Sequence, residues 1–90
     1  MIQFKVKAGG REKMGLEFED FKRKRVEGAI VAFIRGKKNA NWVMGIIKGR
    51  WGVRDVELQR IFDKIPATYI NYDKNLLNQL KQKCLNEGLL

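Results

Sequence analysis

The feature that most constrains the fold lies at the N-terminus. Ile2, Phe4 and Val6 alternate with Gln3, Lys5 and Lys7, so that one face of an extended segment is apolar and the other polar. Gly9-Gly10 follows as a turn signal, and Met14, Leu16 and Phe18 resume the alternation. This pattern predicts a β-hairpin across residues 2–18, and with it a mixed fold rather than an all-helical one.

The rest of the chain reads mainly as helix. Val26, Ala29, Ile30 and Phe33 fall at helical spacing, with Asp20 placed to cap a start and Gly36 to close an end. Lys37 and Lys38 suit the negative end of that helix's dipole. The competing arrangement is a second hairpin that turns at GKKNAN and returns through WVMGIIK, because AIVAFI is rich in β-branched residues and Gly28 costs a helix about 1 kcal/mol. Agreement between caps and apolar spacing favours the helix. Beyond it, Val56, Leu58, Ile61, Phe62 and Ile65 mark a further helix, which Pro66 is expected to stop. The segment ATYINY, residues 67–72, reads as a short strand. Asp73 then caps a C-terminal helix with Leu76, Leu77, Leu80, Cys84 and Leu85 on its buried face, ended by Gly88. The expected fold class is therefore α+β: an N-terminal β-hairpin, a basic central helix or second hairpin, a helix, a short strand and a C-terminal helix. With ninety residues and no linker or repeat, residues 1–90 make a single domain.

Residue usage narrows the chemistry. There is no histidine and no serine, Thr68 is the one threonine and Cys84 the one cysteine. Ser-His and Cys-His catalysis, thiolate zinc sites and an intrachain disulfide are thereby excluded, and Cys84 reads as a small core residue. No metal and no cofactor is expected. No apolar run approaches the roughly 18–20 residues of a membrane span, and the N-terminus lacks a signal peptide's apolar segment. A cytoplasmic protein, cellular or viral, is the expectation.

The charge is unevenly placed. The formal total is +9. Residues 1–21 carry four cations and four anions, and residues 55–90 carry five of each. The whole excess falls in residues 22–54, where Lys22, Arg23, Lys24, Arg25, Arg35, Lys37, Lys38, Lys48, Arg50 and Arg54 face only Glu27. Segregated charge of one sign creates a local potential that attracts polyanions.

Three stretches inside this segment are candidate contacts. Lys22, Arg23 and Arg25 belong to a run of four cations that a helix would spread over most of a turn. In the loop GKKNAN, Lys37 and Lys38 supply charge, while Asn39 and Asn41 cap the next element or reach phosphate and base edges. In KGRWGVR, Gly49 and Gly52 permit close backbone approach to a phosphate, and a helix starting near Val53 would point free N–H groups at it. Lys48, Arg50 and Arg54 add charge there, and Trp51, if exposed, can stack on an unpaired base. Trp42, surrounded by Val43, Met44, Ile46 and Ile47, reads as core.

IIKGRWGVRDVELQRIF is similar to the middle of a KH domain, in which a G-x-x-G loop joins two helices and clamps a single-stranded backbone. Gly49-Arg50-Trp51-Gly52 would be that loop; Lys48, where that family has an apolar residue, and Trp51 inside the loop depart from its pattern. WVMGIIKGRWGV also resembles a LAGLIDADG homing-endonuclease helix, with Lys48 and Arg50 standing at its acidic positions. Neither resemblance is adopted as a family assignment.

The expected function is non-catalytic binding of nucleic acid, DNA or RNA, through residues 22–54. The alternative is a small phage-type inhibitor or adaptor that docks its basic face on an acidic protein surface. A third reading, a metal-dependent nuclease, rests on Asp20-Phe21-Lys22 following Glu12, Glu17 and Glu19.

Overall fold

The computed structural model describes the backbone of residues 6–90 and the side chains of residues 18–90. Four helices follow one another: α1 (Val6–Ile34), α2 (Ala40–Lys48), α3 (Asp55–Thr68) and α4 (Lys74–Asn86). No strand occurs among the described residues. The expected α+β class is therefore wrong, and the described residues are all-helical.

The N-terminal hairpin fails first. Residues 6–18 lie within α1, Gly9-Gly10 included, and residues 1–5 of the expected strand lie outside the described residues. A two-stranded ribbon needs a third strand or a packed face to persist, and no strand among the described residues could receive it. A helix satisfies its interior backbone groups without any partner. Ion pairs at helical spacing support it: Lys22 with Glu19 at 3.7 Å, Arg23 with Asp20 at 3.6 Å, and Lys24 with Asp20 at 3.2 Å. Asp20 is thus an interior helix residue and not a cap.

The second hairpin is also absent, because WVMGIIK forms most of α2. The close of α1 matches expectation. Gly36 takes a positive φ of 80° and donates its N–H to the Phe33 carbonyl, while the Lys37 N–H reaches the Ala32 carbonyl at 2.8 Å. This Schellman arrangement stops the helix where a side chain would be strained. Gly88 (φ 77°) repeats it after α4, with Leu89 N–H on the Cys84 carbonyl. Asn39 and Asp73 cap α2 and α4 through their side-chain oxygens. Pro66 does not stop α3, which runs on through Thr68; one missing N–H so near the end is tolerated. The expected strand at 67–72 is the end of α3 and an irregular link to α4.

α1 packs against each of the other three helices. Val26, Ala29, Ile30, Phe33 and Ile34 meet Val43, Met44, Ile46 and Ile47 of α2, Leu58, Ile61, Phe62 and Ile65 of α3, and Leu77, Leu80 and Cys84 of α4 in one apolar cluster. Leu76 lies at its margin and Leu85 is exposed, so the buried face of α4 is narrower than expected. Cys84 is fully buried beside Met44, and burial pushes its thiol up to about 11, which makes it the core residue expected rather than a nucleophile. Glu27, the single anion of the basic segment, joins α1 to α3 and the following link: it accepts from Lys64 Nζ at 3.0 Å and from the Tyr69 hydroxyl. That acceptor raises the Tyr69 pKa, and burial adds to the effect.

Candidate nucleic-acid interface

Folding divides the ten cations of residues 22–54 into two groups. Five find acids. Lys22, Arg23 and Lys24 pair along α1 as described, and Arg23 also reaches Glu57 of α3 at 3.5 Å. Arg54 lies 4.0 Å from the same Glu57, and Lys48 donates to Glu87 at 2.9 Å, tying the end of α2 to the cap of α4. That contact and the nearby Lys83 hold the Glu87 carboxyl below the usual range. Among the described residues, Arg25, Arg35, Lys37, Lys38 and Arg50 form no salt bridge. Of these, Arg35 donates to the Ile70 carbonyl at 3.0 Å.

Arg25, Lys38 and Arg50 lie over tryptophan rings. Trp42, expected in the core, is only partly buried at its edge. Arg25 Cζ lies 5.8 Å from its ring centre and Lys38 Nζ 5.2 Å from the same centre. The reason is positional: the core stripe of α2 is Val43, Met44, Ile46 and Ile47, and Trp42 falls on its flank, beside α1. The cap fixes it there, since Asn39 Oδ1 accepts from the Trp42 N–H at 2.8 Å. Asn39 therefore serves the helix, while Asn41, Lys37 and Lys38 remain exposed around it.

One helical turn back along α1 from Arg25 lies a second aromatic group. Phe21 meets Trp51 edge-on at 5.4 Å, and Phe18 lies 6.3 Å from Trp51 at 44°. Arg50 stands 5.9 Å from the Trp51 ring and Lys22 5.5 Å from that of Phe18. Trp51 is half-buried, and so stands between the two readings its sequence context allowed. Phe18, Phe21, Lys22 and Arg25, at i, i+3, i+4 and i+7, line one side of α1 over about 10 Å. Cations and rings thus interleave along the seam between α1, α2 and the α2–α3 turn. Sequence reasoning missed Phe18, Phe21 and Trp42, because the hairpin reading placed Phe18 on an inner face. Read as helix, residues 18–25 show the stripe directly.

The turn that holds Gly49 and Gly52 packs closely on the end of α2. A Cβ on Gly49 would come 2.8 Å from the Gly45 carbonyl oxygen, and one on Gly52 would overlap the Ile47 carbonyl oxygen. These glycines let the chain approach its own backbone rather than a ligand. The N-terminus of α3 is taken as well: Asp55 and Glu57 occupy its first turn, and Asp55 Oδ1 accepts from the Val56 N–H at 2.8 Å. Two carboxylates there repel a phosphate. The loop that a KH domain would use is a tight turn here, with Arg50 exposed and Trp51 partly buried against the core.

A cleft of about 200 Å³ between α1 and α3 is lined by Asp20, Arg23, Lys24, Glu27, Glu57, Arg60, Ile61 and Lys64. Its acids are matched by cations, and Asp20 is held by Arg23 and Lys24. No group of three His, Cys, Asp or Glu side chains placed to hold a metal occurs among the described residues, and Glu12 and Glu17 lie outside the described side chains. No helix among the described residues is long and apolar enough to cross a membrane. Comparison with family models, curated proteins and solved structures finds no match to this chain.

Proposed function

We propose that the protein binds nucleic acid without catalysis, along the seam between α1 and α2. The observation that carries this reading is the placement of Arg25 and Lys38 over one ring, Trp42, with no acidic partner among the described residues. The ring's quadrupole holds each cation by about 0.5–1 kcal/mol and neutralises neither. A phosphate contacting either cation would gain that charge and release counterions. Lys37 and Asn41 flank the position, and Arg50 extends the positive surface toward Trp51.

The contact set is thus smaller than the basic segment. Arg25, Lys37, Lys38 and Arg50 are its principal cations. Lys22, Arg23, Lys48 and Arg54 are partly neutralised by Glu19, Asp20, Glu57 and Glu87 and contribute less. Phosphate contacts of this kind fix position on a strand without reading its sequence. Binding of labelled oligonucleotides across a salt series, by the native chain and by an Arg25→Ala/Lys38→Ala variant, tests the proposal. Folded protein that captures no oligonucleotide at about 50 mM salt would reject it.

A further inference from the structure

Phe18 and Phe21 are 50% and 56% exposed, yet each lies against Trp51. One exposed phenylalanine is unremarkable, but two that join a tryptophan make a patch requiring an explanation. The geometry leaves ring surface free. In an edge-to-face pair, each ring keeps at least one face that the other does not cover, and the Phe21–Trp51 pair is inclined at 76°. Cations lie beside the patch: Lys22 at Phe18, Arg50 at Trp51, and Arg25 one turn along α1 from Phe21.

We infer that Phe18, Phe21 and Trp51 form a base-stacking platform, so that the partner is a single-stranded nucleic acid. This inference rests on the nucleic-acid reading above and adds the strand class to it. Bases in a duplex already stack on their neighbours and cannot offer a face to the platform without unpairing. Unpaired bases can, and each one stacked on an aromatic ring tightens binding by about fivefold to a hundredfold. The phosphates of the same strand then lie among Arg50, Arg25 and Lys38. A second copy of the chain is disfavoured as the occupant, because a two-fold contact would bring the same cations face to face.

The test compares the full chain with Phe21→Ala and Phe21→Leu, using labelled oligo-dT and oligo-rU of about fifteen nucleotides and a duplex of equal length. Circular dichroism checks the fold, and Phe21→Leu keeps apolar bulk while removing the π face. The native chain is expected to bind the single strands more tightly than the duplex. Both substitutions are expected to weaken single-strand binding by about fivefold to a hundredfold and to leave duplex binding nearly unchanged. Equal or tighter duplex binding, equal losses on both ligands, or native-like binding by Phe21→Leu would overturn the platform while nucleic-acid binding stands. Failure of every oligonucleotide to bind the folded native chain would overturn both readings.

Discussion

The guanidinium of Arg25 stands 5.8 Å from the centre of the Trp42 ring, and Lys38 reaches the same ring from the turn after α1. Arg25 is brought to Lys38 and Trp42, beyond the end of its helix, by two local devices, the Gly36 closure of α1 and the Asn39 cap of α2. The site is therefore as stable as the corner that builds it, which makes the stability of α1 and of its connections the first thing to probe.

Gly28 lies in the interior of α1, exposed, with no heavy atom within 4 Å of where a Cβ would stand. Gly28→Ala should stabilise the protein by about 0.5–1 kcal/mol, since alanine gains helix propensity and restricts the unfolded chain. Urea denaturation measures this as a raised midpoint with an unchanged slope.

Gly52→Ala should act in the other direction. Its Cβ would overlap the Ile47 carbonyl oxygen, and Gly52 N–H donates to the Gly49 carbonyl at 2.9 Å in the same turn. Relieving the overlap should cost about 1–3 kcal/mol, read in the same denaturation assay. Had the glycines served ligand approach, the substitution would leave stability unchanged and weaken binding alone.

How much of this was legible in the sequence differs from residue to residue. The core positions of α1, α3 and α4 were, because Val26, Ala29, Ile30 and Phe33, Leu58, Ile61, Phe62 and Ile65, and Leu77, Leu80 and Cys84 keep a 3.6-residue period. The N-terminal segment was not: short alternation of apolar residues fits a strand, and only the absence of any sheet to join decides for the helix. The cation excess was visible as a count, but its division into paired and unpaired groups depends on the helical register that sets Glu19 and Asp20 beside Lys22, Arg23 and Lys24, and on Glu57 and Glu87 from distant sequence. Trp42 was misread because neighbours in sequence suggested burial, whereas a helix sends adjacent residues to different faces.

Alkaline pH should destabilise the fold in a defined window. Burial favours the neutral Cys84 thiol, raising its pKa from 9.0 to about 11. A raised acid pKa contributes stability that is complete below the unfolded value and is lost as pH climbs from there to the folded value. The loss should therefore begin near pH 9.0 and level off above about 11. Tyr69, raised from 10.0 by its bond to Glu27, adds a loss of the same sign at the upper end. Denaturation of native protein and Cys84→Ala across this range should show the shallower pH dependence in the variant; parallel curves would contradict the assignment.

The most direct test of the central claim is the salt dependence of oligonucleotide binding in three proteins: native, Arg25→Ala/Lys38→Ala, and Lys48→Ala. Each phosphate contact on a single strand adds about 0.7 to the slope of log affinity against log salt. The double variant should bind more weakly with a slope lower by about 1.4. Lys48→Ala, whose cation is engaged by Glu87, should bind with a slope close to native. A double variant with native affinity and slope, or a Lys48→Ala variant that loses as much as the double one, would contradict a contact surface centred on Trp42.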